Sequence, residues 1–159
     1  MPERVLMTPA GYQKVLAELN LHRQVLRPQN IVALEEARAH GDLSENAEYD
    51  AAKDRQSHLE GRILVLEANY SLAEVIDIKK VPPSNRVIFG TTVDLEDEDT
   101  GECFTYRIVG MEEADVKAGL VSYTSPIGRA VLGRSVGDSV RFDAPKGSRT
   151  LIINAVHYR

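Results

Sequence analysis

The run Gly41-Asp42-Leu43-Ser44-Glu45-Asn46-Ala47-Glu48-Tyr49-Asp50 decides how this chain folds, because it sets a glycine and a cluster of carboxylates between two long stretches of one helical period. Upstream, Tyr12, Leu16, Leu19, Arg23, Leu26, Asn30, Ala33 and Ala37 recur at alternating spacings of four and three, the seam of a coiled coil. Downstream the same period returns at Tyr49, Ala52, Gln56, Leu59, Ile63, Leu66, Tyr70 and Ala73. Folding the chain back at residues 42–43 sets Tyr12 opposite Ala73, Leu19 opposite Leu66, Leu26 opposite Leu59 and Ala33 opposite Ala52. A single fold-back point therefore meets the whole seam, and the economical reading is an antiparallel helical hairpin. Arms of about thirty residues at ~1.5 Å per residue reach roughly 45 Å. The acidic run then stands at the far end of a long projection.

The first arm should open at Thr8-Pro9, where a hydroxyl caps the helix and proline takes the first helical position. Pro28 falls inside that arm and is expected to bend it or loosen one turn, since proline lacks a donor and crowds the carbonyl four residues back. The character of the sequence changes at Val81-Pro82-Pro83-Ser84-Asn85, where paired prolines exclude helix. Residues 81–85 are read as a linker between a hairpin domain, 1–80, and a second domain ending at residue 159. β-rich runs follow at 86–95, 103–109, 120–123, 139–142 and 149–157. Asp97-Glu98-Asp99-Thr100-Gly101 and Pro145-Lys146-Gly147-Ser148 read as hairpin turns. Ser125-Pro126 repeats the cap-plus-proline start and should open a short helix ending near Gly133. The expected fold class is α+β, a long N-terminal coiled-coil hairpin followed by a small antiparallel sheet with a short helix.

Composition narrows the function. The 159 residues carry a net charge of -5, a pI near 5.4 and 43% hydrophobic side chains. That balance argues against a protein that coats duplex DNA through a global basic surface, so any nucleic-acid contact must be local or made inside a partner. Cys103 is the sole cysteine, which rules out an intrachain disulfide and fits a reducing cytoplasm. No run approaches the ~20 apolar residues of a membrane span, and no membrane partner is expected. His22, His40, His58 and His157 show no zinc-ligand spacing with one another or with Cys103. Walker, nucleophile-elbow and dinucleotide motifs are also absent, so a self-contained enzyme is hard to build from this chain.

Two readings of the acidic pair stand side by side. Asp42 and Glu45 are spaced as a capping box, with Asp42 as N-cap and Glu45 at the third helical position. They are also spaced as half of a Mg²⁺ site, because this ion takes one or two protein carboxylates and leaves its other positions to water and phosphate. A projecting arm with half a site implies a partner that supplies the rest, and phosphoryl transfer is the chemistry that uses such an ion. Arg38 just before the tip, with Lys53 and Arg55 after it, reads either as a solvated mixed-charge face or as a small patch holding nucleic-acid phosphates.

Thr8-Pro9-Ala10-Gly11-Tyr12, the tip Gly41 to Tyr49, Glu60-Gly61-Arg62-Ile63, Arg86-Val87-Ile88-Phe89-Gly90, Tyr106-Arg107-Ile108-Val109-Gly110 and Ser125-Pro126-Ile127-Gly128-Arg129-Ala130 together resemble the GreA/GreB family of bacterial transcript cleavage factors. The resemblance covers nearly the whole chain in order. It implies a monomeric elongation factor whose coiled coil enters the secondary channel of RNA polymerase while an FKBP-like C-terminal domain holds the channel rim. It further implies that Asp42 and Glu45 help hold a second Mg²⁺ shared with the polymerase, which then cuts backtracked RNA. By position Arg38 and Lys53 match the family's RNA-contacting patch near the nascent RNA 3′ end, and Ser125 and Pro126 lie at its polymerase contact. Arg55 has no such match. The competing expectations are a channel-binding regulator that occludes the active site without promoting cleavage, and a coiled-coil adaptor unconnected to transcription.

Overall fold

The computed structural model describes residues 3–41 and 46–159. They form two compact units, one of residues 13–72 and one of residues 1–12 with 73–159. This division differs from the one expected at 81–85. The physical reason is a pair of short strands that flank the hairpin, β1 (Val5–Met7) and β2 (Ala73–Val75), which pair in parallel. Their pairing ties both flanks of the hairpin to the sheet unit, and Ala73 belongs to β2 rather than to the helical seam.

Within the helical unit, α1 (Pro9–Leu21) passes through one π-helical turn at His22–Leu26 into α2 (Arg27–Ala39), and α3 (Ala47–Ser71) returns antiparallel. Pro28 stands two residues after the π turn, following Arg27, whose N–H reaches back to the His22 carbonyl. The loosened turn expected from the proline thus takes this form, and the helix continues. Val15, Leu19, Leu34, Ala37, Ala52, Ile63 and Leu66 are buried, and Asn30 is buried among them. Each large aliphatic chain so removed from water contributes on the order of 1.5–3 kcal/mol.

The observed seam departs from the expected one at particular residues. Val15 and Leu34 take the deep positions beside the half-buried Leu16 and Ala33, while Arg23 and Tyr70 lie on the surface. One extra residue in the π turn rotates the faces before and after it, so a strict heptad count cannot run through. No residue of the π turn is buried. Ion pairs cross between the arms around it instead: Arg23 with Glu67, Arg62 with Glu18, and Arg27 with both oxygens of Glu60 at 2.8 and 2.7 Å. Exposed pairs of this kind contribute little, so the apolar seam carries the hairpin's stability.

In the other unit, β3 (Thr92–Asp97), β4 (Cys103–Val109), β5 (Leu120–Ser122), β6 (Ser139–Ala144) and β7 (Gly147–His157) form a sheet in the order β5-β4-β3-β7-β6. Three of its pairings are antiparallel, but β5 joins β4 in parallel, a correction to the wholly antiparallel sheet expected. The run 86–95 also yields a strand only from Thr92. Before it, Gly90 at φ +91° and Thr91, whose hydroxyl donates to the Ile88 carbonyl at 2.7 Å, make a turn that ends extended pairing. Along β3, Val93, Leu95 and Asp97 face inward in strict alternation. The core adds Val87, Phe89, Ile108, Val121, Val140, Leu151 and Ile153, with the short helix α4 (Pro126–Val131) contributing Val131. Gly128 lets α4 lie close to the sheet, since a Cβ there would stand 2.2 Å from the Ser122 carbonyl oxygen.

Candidate functional site

Asp42 and Glu45 lie outside the described residues, so the site is built from the helix ends that hold them. α2 closes with the His40 N–H on the Ala37 carbonyl at 3.2 Å and the Gly41 N–H on the Arg38 carbonyl at 3.3 Å. Gly41 has φ +103°, a conformation that suits glycine, and this residue ends the arm. α3 opens at Ala47 with Asn46 as its N-cap, the Asn46 side chain accepting the Tyr49 N–H at 3.1 Å. The capping box expected from Asp42 and Glu45 is therefore corrected: Asn46 caps α3. Asparagine serves because its short side-chain carbonyl reaches back to the first free N–H groups.

Asn46 has a second bond. Its amide nitrogen donates to the Ala37 carbonyl on the opposite arm at 2.6 Å. Around this bridge the Arg38 guanidinium carbon stands 5.9 Å from the centre of the Tyr49 ring, and His40 Nδ1 lies 3.3 Å from Glu48 Oε2. Arg38 is exposed in the last turn of α2, where a cation complements the helix dipole. Lys53 is exposed on α3 and donates to Gln56 at 3.2 Å. The structure thus brings Arg38 onto the first turn of α3 and leaves Lys53 bonded within its own helix. Arg55 is exposed and borders two hollows between the arms, one with Glu36, His40 and Glu48, the other with His22, Asn30 and His58. Among the described residues no three His, Cys, Asp or Glu side chains cluster as metal ligands.

The Ser125-Pro126 pair sits in the other unit. Ser125 caps α4, accepting the Gly128 N–H at 3.1 Å while its hydroxyl donates to the Ser122 carbonyl at 2.6 Å. Its side chain is thus occupied in holding the turn. The exposed Pro126 borders an apolar hollow of about 340 Å³ shared with Phe104, Tyr106, Val116, Ile127 and Phe142. The Phe104 and Tyr106 rings stack with centres 5.9 Å apart, and the Arg149 guanidinium covers Phe104 at 4.9 Å. Sequence reasoning missed these aromatics as surface residues because alternation in a strand predicts a face without saying what covers it. It also missed Asn46, whose position before an Ala-Glu-Tyr-Asp helix start was the available signal.

Comparison with known proteins covers the chain in two parts. A family model described as the transcription elongation factor N-terminal domain matches residues 5–75, and one described as the GreA/GreB C-terminal domain matches residues 82–158. The chain is 54% identical over 158 residues to the transcription elongation factor GreA of Rhizobium leguminosarum bv. trifolii, and equally to that of Agrobacterium fabrum, spanning 99% of either partner. Among solved structures, the GreA factor homolog 1 of Thermus thermophilus is 33% identical, with 98% of this chain and 99% of that one covered and a TM-score of 0.44. No helix among the described residues is long and apolar enough to cross a membrane.

Proposed function

The chain belongs to the GreA/GreB family of transcription elongation factors, and from that premise we propose that it binds RNA polymerase as a monomer and stimulates the polymerase's own hydrolysis of backtracked nascent RNA. The observation that carries this reading is the intact acidic run at the end of a two-armed hairpin in a chain that matches the family over its whole length. The hairpin, within residues 1–80, enters the secondary channel. Residues 81–159 dock at the channel rim through the surface around Pro126, with Ser125 fixing the turn that presents it.

Asp42 and Glu45 hold a Mg²⁺ shared with the polymerase active site. Their oxygen donors suit a hard divalent ion, and two of them leave positions for ligands from elsewhere. Asn46 satisfies the cap of α3, so the helix start does not depend on either carboxylate. When bound, the ion supplies charge neutralisation and a more acidic water. The protein's own part is positional: it carries the carboxylates to the reacting phosphate and holds them there. Arg38 and Lys53, both exposed, contact phosphates of the RNA 3′ portion and offset the repulsion between the acidic tip and the strand. The chain is accordingly an accessory factor, and the bond is broken in the polymerase.

The test is RNA cleavage by a stalled, backtracked polymerase with the unsubstituted protein and with Asp42→Asn. The expected result is unchanged polymerase binding and a loss of cleavage of roughly 100-fold or more, the scale of removing an electrostatic group from a reacting centre. Wild-type cleavage by Asp42→Asn overturns the metal role. Inhibition of nucleotide addition by the unsubstituted protein, without any cleavage, replaces the whole reading with an occluding regulator.

A further inference from the structure

Two asparagines tie the arms together between the π turn and the tip, and each does so through its side-chain amide. Asn30 on α2 donates its side-chain amide to the Ala52 carbonyl of α3 at 3.0 Å, and Asn46 donates its amide to the Ala37 carbonyl of α2 at 2.6 Å. One tie runs from each arm to the other. The two accepting residues, Ala37 and Ala52, are 2% and 0% exposed, and their small side chains let the opposite backbone come within reach of an amide.

The Asn30 tie is not explained by stability. Asn30 is 7% exposed, and its Oδ1 is buried with no hydrogen-bond partner among the described residues. The identity of the two amide atoms is not in doubt, because a backbone carbonyl accepts only, so the atom facing Ala52 is the nitrogen. Leaving a buried acceptor unpaired costs free energy that an aliphatic residue at the same seam position avoids. A buried asparagine in a helical seam has one general use that offsets such a cost: it bonds well in a single axial alignment and poorly in the others. Apolar contacts alone do not discriminate so sharply, since a leucine slides from one hole to the next with little loss.

The surroundings show why alignment needs such a device here. The π turn at His22–Leu26 contributes no buried residue, and a hollow of about 580 Å³ opens beside it, lined in part by His22, Leu26, Asn30, His58 and Leu59. The stretch of tight seam at Leu19, Ile63 and Leu66 is thereby separated from the tip. From Asn30 to the end of α2, the apolar seam consists of the buried Leu34 and Ala37 with the half-buried Ala33, and on α3 of Ala52 with the half-buried Tyr49. A single leucine among alanines offers few interlocking side chains to fix the relative height of two helices.

We propose that Asn30 and Asn46 are positioning residues, a matched pair of amide ties that fix the axial register of the two arms and so set where the tip carboxylates stand. The consequence for cleavage rests on the reading above, but the register itself does not. Slippage by one helical turn displaces one arm by about 5.4 Å, far beyond the tolerance of a reacting centre. Asn30→Leu removes the first tie and the unpaired acceptor together. Asn46→Asp removes the second tie while its carboxylate still accepts the Tyr49 N–H, so α3 keeps its cap.

The experiment uses the full chain with the exposed Cys103 changed to Ser, and spin labels on cysteines placed at the exposed positions Glu36 and Ala51, which face a common hollow across the arms. The parent should give a single narrow distance distribution. Asn30→Leu should melt at or above the parent and yet give a broadened or shifted distribution, with components displaced by about 5 Å. Asn46→Asp should broaden it as well. In the unlabelled variants, cleavage should fall roughly 10- to 100-fold at an unchanged half-saturating concentration for polymerase, a split that a merely structural defect does not produce. An undisturbed distribution in both variants overturns the ties, and so does a displaced distribution accompanied by wild-type cleavage. Should Asn30→Leu melt earlier than the parent, Asn46→Asp decides. If the unsubstituted protein stimulates no cleavage, the proposed function fails, while the label distances judge the register on their own.

Discussion

At the scale of single residues, the carboxylate of Glu113 gathers three donors from two segments of the chain. It accepts the Thr8 hydroxyl, the Thr8 N–H at 3.2 Å and the Gly110 N–H at 3.0 Å, while Thr8 itself caps α1 by accepting the Gly11 N–H at 3.1 Å. Gly11 is glycine for room: a Cβ there would stand 2.2 Å from the Glu113 carboxyl carbon. Gly11→Ala is therefore expected to displace Glu113 and lower stability by about 1–3 kcal/mol, the range of an overpacked site, measured by urea unfolding. A second residue-scale effect is electrostatic. Asp97 is 4% exposed, and the N–H groups of Asp99 and Thr100, with Arg149 added, hold its carboxyl below the usual carboxylate range. A lowered folded value stabilises the fold above the unfolded carboxylate range of about 4, and that contribution is lost as pH falls through the folded value. Asp94, lowered by His157 and Thr105, acts in the same direction. The urea midpoint should thus drop between pH 7 and pH 3, and Asp97→Asn should flatten that dependence. An equally steep fall in the variant would assign the acid sensitivity elsewhere.

At the scale of elements, the cap of α3 and the closeness of the arms are separable. Asn46→Ala removes the capping acceptor and the amide tie at once, so it should destabilise the hairpin by about 1 kcal/mol from the cap alone, seen as lost helical circular dichroism at lower temperature. Ala52, 0% exposed and facing the Asn30 amide, has no space to grow. Ala52→Leu should cost about 1–3 kcal/mol and open the arms near the tip, whereas the same change at the exposed Ala51 should be close to neutral. Equal effects at the two positions would contradict the packing described. The π turn belongs to this scale too, because it converts the interruption at Pro28 into one extra residue rather than a break.

At the scale of the whole molecule, the chain's contacts and its family likeness divide it differently. The family models meet between residues 75 and 82, near the diproline, while the sheet unit takes in residues 73–80 and the first twelve. Leu6 and Ile76 pack against the core of that unit, and Ile78 is 2% exposed. A fragment of residues 81–159 should therefore unfold at a lower urea concentration than one of residues 73–159, because it has lost the apolar burial of Ile76 and Ile78. Equal midpoints would show that residues 73–80 contribute nothing to the sheet unit.

Much of this was legible in the residues themselves. Helical period, the caps at Thr8-Pro9 and Ser125-Pro126, and the turns at Gly101 and Pro145 are local signals, and local signals set which segments are helix and which are strand. The acid run was legible for the same reason, as a composition that no helix interior would carry. What lay beyond the sequence were the relations between distant segments: the parallel edge strand β5, the β1–β2 pair, and the shift of the buried seam to Val15 and Leu34. Each depends on which of several locally acceptable partners lies within hydrogen-bonding or packing distance once the chain has closed on itself. Residue types and spacing determined that this protein carries two carboxylates between two helical arms. Only the tertiary structure decided how the arms are held in register, because a bond from Asn30 to Ala52 joins residues 22 positions apart that no local preference relates.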